Sequence, residues 1–266
     1  MTVIVEKSGP VTTIVMSRPE VKNAVDPATA RELHRSFLAF EADPEASVAV
    51  FHGAHGSFCA GYDLKALAAG EGADWAEAIG FPDDRLEPNP IGPMGVSRLE
   101  LSKPVIAAVE GPAVAGGTEL ALWCDFRVMA EDAFFGIYCR RWGVPLIDGG
   151  TVRLPRLVGM GRALEIILTG RKVPAEEALR IGLCEYVVPH GETRAKAEAL
   201  AHEIARFPQA CVRADRASAH RQQGLAEREA LRVEFGGSLP VIRAESVGGA
   251  GRFAGGLGRH GDYRKI

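Results

Sequence analysis

The sequence predicts an α/β fold in which strand, tight glycine turn and helix recur along the chain, followed by a mainly helical C-terminal part. Three observations predict it. Residues 48–51 and Val105–Val109 are short apolar runs bounded by turn residues, the pattern of strands buried on both faces. Each is followed by a glycine-containing turn leading towards helix, at Gly53 and at Gly111. From Arg162 onward the composition shifts to helix formers with glycine stops.

In chain order, residues 3–5 and Val11–Met16, joined by Ser8-Gly9-Pro10, read as a hairpin with a β-branched second strand. Asp26-Pro27 supplies an N-cap and a proline at the first helical position. Leu33, Phe37 and Phe40 then recur at helical spacing, so residues 27–41 form an amphipathic helix that ends at Asp43-Pro44. Residues 68–98 are rich in Gly, Pro, Asp and Glu with little period; a long loop with one short helix at 74–79 is expected, of the kind that shapes a pocket. Helices are expected at 162–169, stopped by Gly170, and at Ala175–Arg180, with a strand at Tyr186–Val188. Residues 192–206 and 210–232 carry helix-forming composition, and the tail from Gly236 is rich in Gly and Arg.

A chain of 266 residues can bury a sizeable core and an enclosed site. With 47% hydrophobic and 24% charged residues and a formal net charge of −3, it has an ordinary globular profile, without the basic excess that nucleic acid requires. The five cysteines are scattered with no Cys-x-x-Cys pair, so a reducing, cytoplasmic setting is expected rather than a disulfide framework or zinc knuckle. Neither a signal peptide nor an apolar run of about 18 residues is present, so no membrane partner is expected.

Two segments carry the candidate chemistry. The run Lys103-Pro104-Val105-Ile106-Ala107-Ala108-Val109-Glu110-Gly111 leads into Ala115-Gly116-Gly117-Thr118-Glu119-Leu120-Ala121-Leu122, delivering a glycine pair to the start of an apolar helix. Free N–H groups there can hold an anion, and Glu119 lies one helical turn past Gly116 on the same face. The plainer alternative is a glycine pair needed only for packing beside a surface glutamate. The second segment, Gly56-Ser57-Phe58-Cys59-Ala60-Gly61-Tyr62-Asp63-Leu64-Lys65, again places small residues between strand and helix.

Phe-Cys-Ala-Gly-Tyr-Asp-Leu resembles the Phe-x-Ala-Gly-x-Asp-Leu signature of the crotonase superfamily, the enoyl-CoA hydratase/isomerase family, and residues 103–125 are similar to its second signature. Residues 17–25 and 149–155 resemble its N-terminal and central motifs, so the likeness spans roughly residues 11–185 in family order. The resemblance implies a crotonase-like ββα spiral with a C-terminal helical trimerisation region, placed here as a core over residues 1–200 and helices over 201–266. It implies a homotrimer or homohexamer acting on an acyl-CoA thioester, with coenzyme A present only as part of the substrate and no separate cofactor or metal. The backbone N–H groups of Tyr62 and Gly116 map to an oxyanion hole, and Glu119 to the main catalytic carboxylate. Coenzyme A maps to Ala60, Tyr62 and Leu64 around the adenine, with Ala24 beside them and Lys22 on the phosphate side; for Lys22 and Lys65 a solvated surface role is the alternative.

The sequence departs from the family at one position. Hydratases of this kind use two glutamates, and the second falls on Cys139, whose thiol, with an ordinary pKa near ~8.5, is a poor replacement. Asp148 is the candidate second acid, with helix N-capping as its alternative. An enoyl-CoA hydratase is therefore expected, with a single-carboxylate isomerase or a non-catalytic acyl-CoA-binding protein as alternatives. Two further patterns are set aside. Gly256-Leu257-Gly258-Arg259-His260-Gly261 spells a dinucleotide fingerprint but follows no apolar strand, and His52 and His55 lack a third metal ligand.

Overall fold

The computed structural model describes residues 2–81 and 89–258. The chain opens with the expected hairpin, β1 (Val3–Ser8) and β2 (Val11–Met16), paired antiparallel with Val3 opposite Met16. Gly9 turns it at φ +57°, where a side chain would be strained. α1 (Pro27–Ala42) is capped by Asp26, whose carboxylate accepts from Thr29 N at 2.7 Å, and it buries Leu33, Phe37 and Phe40. β3 (Val48–Gly53) is followed by α2 (Leu64–Ala68) and α3 (Glu71–Ala78).

The next two windings supply β4 (Val105–Val109), β5 (Pro112–Val114) and α4 (Gly116–Trp123), then β6 (Phe126–Ala130) and β7 (Phe134–Gly136). A short 3-10 turn at Tyr138–Trp142 leads to α5 (Gly150–Val158), α6 (Met160–Thr169), β8 (Lys172–Pro174), α7 (Ala175–Arg180) and β9 (Tyr186–Val188). α8 (Thr193–Ala205), α9 (Gln209–Arg221), α10 (Glu227–Val241), a π-type turn (Ile242–Ser246) and α11 (Val247–Ala254) complete the described chain.

The main sheet runs β1-β2-β3-β4-β6-β9, parallel after the first hairpin. A second, shorter layer lies beside it. Val25 bridges Tyr62, Cys59 bridges Ala113, β5 pairs with β7 and β7 with β8. Each winding thus contributes one long strand, one short segment and a helix, the expected ββα spiral. Successive windings are stitched by Asn23, buried, whose amide donates to Ala54 O at 2.9 Å and Ser57 O at 2.6 Å.

The sheet is apolar on both faces because two different layers cover it. Ala49, Phe51, Ala107 and Val109 face the principal core, whereas Val48, Val50, Ile106, Ala108 and Val128 face α8 through Ala197 and Ala201. Each large aliphatic or aromatic side chain removed from water contributes roughly 1.5–3 kcal/mol. The boundary expected after residue 200 falls inside α8, whose packing on the sheet ties it to the spiral.

α9, α10 and α11 have no buried residues. α9 is attached through Asp125, which accepts from Arg216 Nε at 2.8 Å and His220 Nε2 at 2.9 Å. The helix expected over 210–232 is broken at Gly224, φ +83°, and the Gly- and Arg-rich stretch from Gly236 continues as helix to Ala254. Among the described residues no helix is long and apolar enough to cross a membrane, and all five cysteines are free.

Candidate active site

The site lies where the second and third windings meet. Gly61 at φ +93° packs so closely that a Cβ there would lie 3.0 Å from the Ala115 Cβ and 3.2 Å from Gly116 N. A Cβ on Gly117 would lie 2.1 Å from Cys59 O, so only glycine fits. These contacts bring the Tyr62 and Gly116 peptides together. In the Val25–Tyr62 bridge, Val25 N donates to Gly61 O and Asp63 N to Val25 O, which leaves the N–H of Tyr62 itself on the other side. Gly116 is the first residue of α4, where an N–H has no partner inside the helix. Among the described residues neither N–H donates to another backbone carbonyl.

Ala115, which precedes Gly116, sits at φ 53°, ψ −122°, a conformation that L-residues rarely adopt. Its N–H is held by Gly136 O at 2.7 Å. Local strain of about 1–3 kcal/mol is thus held by the sheet at the residue that aims the Gly116 N–H.

Glu119 is 2% exposed, one turn into α4 and on the side of the cavity. Its Oε1 accepts from Asp148 N at 3.0 Å and Gly150 N at 2.8 Å. Burial, and next the neighbouring Asp148 carboxylate, push its pKa up to about 8 in spite of those two bonds. Asp148 is also buried, and its carboxyl is raised above the usual range, chiefly by desolvation. Its Oδ1 accepts from Met94 N at 3.0 Å and from Ser97 Oγ. Asp148 does not cap α5: Gly149 holds the cap position and no side chain caps that helix. Arg153 closes the loop, donating to Asp148 O at 2.8 Å and to Ser97 O at 2.7 Å.

Glu119, Asp148, Tyr62, Gly116 and Cys139 all line one cavity of about 360 Å³. Its remaining wall is largely apolar, with Trp75, Met94 and Tyr138 among its residues. Residues of the expected pocket-shaping loop do line it, at Trp75, Pro93 and Met94; positions 82–88 of that loop lie outside the described residues. The Cys139 thiol is buried and raised, first by desolvation and then by Glu119, so it stays protonated. The Tyr62 phenol is likewise pushed up to about 12 by burial, which fits a role through its backbone.

Of the residues assigned to coenzyme A, Ala60, Tyr62 and Leu64 line this cavity. Lys22 and Ala24 do not line it. Lys22 is exposed and Ala24 buried in the neighbouring segment, where Lys22 O accepts from Ala60 N at 3.0 Å. Ser97 and Arg153, which fix the Asp148 loop, were not singled out in the sequence, since nothing in their spacing marks a contact across more than 50 positions.

The profile of the enoyl-CoA hydratase/isomerase family matches residues 6–238. The chain belongs to the enoyl-CoA hydratase/isomerase family. Its fold is that of the crotonase superfamily: it superposes on an enoyl-CoA hydratase EchA1 from Mycobacterium marinum with TM-score 0.85, at 34% identity and 95% of each chain. Among curated relatives, it is 36% identical to an enoyl-CoA hydratase, EchA19, of Mycobacterium tuberculosis, over 92% of this chain and 90% of that protein. It is 40% identical to a carnitinyl-CoA dehydratase of Salmonella typhi, over 74% of this chain and 72% of that one. Family membership accounts for the pairing of two unoccupied N–H donors with a buried carboxyl group, an arrangement that can hold a developing oxyanion beside a proton carrier.

Of the two patterns set aside in the sequence, the histidine pair is split between a strand and a turn: His52 lies in β3 and His55 follows it. His52 Nδ1 lies 3.2 Å from Ala108 O, and His55 Nε2 lies 3.1 Å from Ser17 Oγ. The glycine pattern begins at Gly256, and its last three residues, 259–261, lie outside the described residues.

Proposed function

We propose that the protein adds water across the 2,3 double bond of an enoyl-CoA thioester, or removes it in the reverse direction. The observation that carries the reading is the buried Glu119, tethered by one oxygen to Asp148 N and Gly150 N beside the free N–H groups of Tyr62 and Gly116. The thioester oxygen rests between those N–H groups. As water attacks C3, the π electrons move toward that oxygen, giving an enolate that two preorganised donors stabilise. Losing one such donor costs on the order of 2.7–4 kcal/mol. A carboxylate takes the proton that water loses, and a proton passes to C2, so H and OH are added in balance.

Glu119 and Asp148 share this proton traffic. Each is raised by burial, and the charge of Asp148 raises Glu119 further, so the pair retains a proton near neutrality and titrates as a unit. Asp148 thereby stands in for the glutamate that Cys139 replaces. The relative named for a dehydratase is consistent with the same steps in reverse.

A second reading, enoyl-CoA isomerase, is favoured by Cys139 itself, because one carboxyl group suffices to carry a proton between C2 and C4. Incubation with a 2-enoyl-CoA and a 3-enoyl-CoA, with products identified by mass and chromatography, separates the two. Water gain that is lost in both Glu119→Gln and Asp148→Asn supports hydration by the pair. Double-bond migration without water gain assigns the isomerase, and binding without turnover of either ester refutes both. We further propose a cytoplasmic homotrimer or pair of trimers, supported by the exposed Leu231, Phe235 and Phe253 of α10 and α11; a monomer by sedimentation would refute it.

A further inference from the structure

A second cavity, of about 460 Å³, shares no lining residue with the first and lies between the 99–102 segment, Trp123, α5 and α9. Arg153, Arg156, Arg213, Arg216, His220 and Arg221 line it, against the carboxylates of Glu41 and Glu100. Some of these cations are already committed. Arg153 donates to Asp148 O and Ser97 O, and Arg216 and His220 are held by Asp125. Arg156, Arg213 and Arg221 have no ion-pair partner among the described residues. Arg213 Nε is moreover buried with no hydrogen-bond acceptor.

Among the described residues Glu41 forms no ion pair with these arginines. Its Oε1 accepts from Ser102 N at 3.0 Å and Ser102 Oγ at 2.6 Å, and its Oε2 is buried without a donor. The Arg213 Nε–H has lost its water without gaining an acceptor, which is unfavourable. That cost vanishes if an anion occupies the space. Guanidinium forks match phosphate oxygens two at a time, and the volume exceeds that of a single small ion.

We propose that this cavity is a binding site for a small diphosphate-bearing molecule, held by Arg213 with Arg156 and Arg221, and separate from the acyl-CoA cavity. The site does not depend on the reaction assigned above.

The test is calorimetric titration of the full chain with inorganic pyrophosphate, in the presence of a saturating acyl-pantetheine thioester, which occupies the first cavity and carries no phosphate. One pyrophosphate per chain is expected, weakened at least tenfold in Arg213→Gln and in Arg156→Gln, and several-fold in Arg213→Lys, which keeps the charge and loses the fork. Circular dichroism melts confirm that the variants fold. No binding, binding unchanged in all three variants, or binding abolished by the phosphate-free acyl-pantetheine would each overturn the assignment. So would sedimentation in which Arg213→Gln dissociates an oligomer that does not take up pyrophosphate, which gives the cavity to a second copy of the chain.

Discussion

Replacing Glu119 by Gln should make the protein more stable as well as inactive, and the stability gain should appear only above acid pH. Gln keeps an acceptor for Asp148 N and Gly150 N and removes the titrating group. The folded carboxyl is raised to about 8, from an ordinary 4.5, by burial first and by Asp148 second, with Arg153 opposing. Between those values the unfolded chain ionises while the folded one keeps its proton, so wild-type stability falls as pH rises. Below pH 4.5 the carboxyl is protonated in both states and contributes no difference. Each pH unit across the window is worth ~1.4 kcal/mol, so the full loss is on the order of 5 kcal/mol by pH 8. Urea unfolding of both proteins at pH 5, 6.5 and 8 measures it. The advantage of the variant should be small at pH 5 and grow to several kcal/mol at pH 8. A constant difference at all three values would show that Glu119 titrates ordinarily, and would remove the basis for treating it as a proton store.

Three further outcomes are expected. Gly117→Ala places a methyl 2.1 Å from the Cys59 carbonyl oxygen and should destabilise by about 3 kcal/mol or more, read by denaturant unfolding, because backbone must move to admit it. Ala115→Gly relieves a φ of 53° and should stabilise by ~1 kcal/mol net of the added unfolded-state freedom, while kcat falls as the Gly116 N–H loses its fixed aim; thermal melts and steady-state kinetics check both. Cys139→Ala should leave turnover within about twofold in a steady-state assay, since burial and Glu119 hold the thiol protonated and unable to act as a base or nucleophile.

Much of this was legible in the sequence, for identifiable reasons. The Asp26 cap, Pro27 and the Leu33, Phe37, Phe40 spacing gave α1 within one residue of its observed end, because cap and periodicity are local signals. β4 was read in full, since a five-residue apolar run between Pro104 and Glu110 has one economical interpretation. The second layer was not. β5, β7 and β8 are three residues each, too short for period-two alternation to register, and Pro112, Gly136 and Pro174 read as punctuation. β6 was missed because Arg127 breaks an otherwise apolar run; only the fold supplies Leu183 O, Cys124 O and Glu185 to satisfy a guanidinium that is 1% exposed. The same limit applies to Asp148, where local rules offered N-capping while the real partners, Met94 N and Ser97 Oγ, lie more than 50 positions away.

That last contrast bears on how the missing second glutamate is to be understood. A carboxyl group at position 139 would have come from the 3-10 turn after β7 rather than from the loop before α5. In the proposed mechanism the second acid comes instead from the segment whose peptide N–H also holds Glu119, so the two carboxyl groups cannot move independently: Asp148 N is bonded to Glu119 Oε1 while Asp148 Oδ1 is fixed by Met94 and Ser97. Arg153 clamps the same loop at Asp148 O and Ser97 O. Such coupling makes the protonation state a property of the loop rather than of either residue. On that reading an ordinary thiol can occupy position 139 at little cost, because the carboxyl group that a second glutamate would have brought into this apolar wall is already supplied by Asp148, buried and anchored.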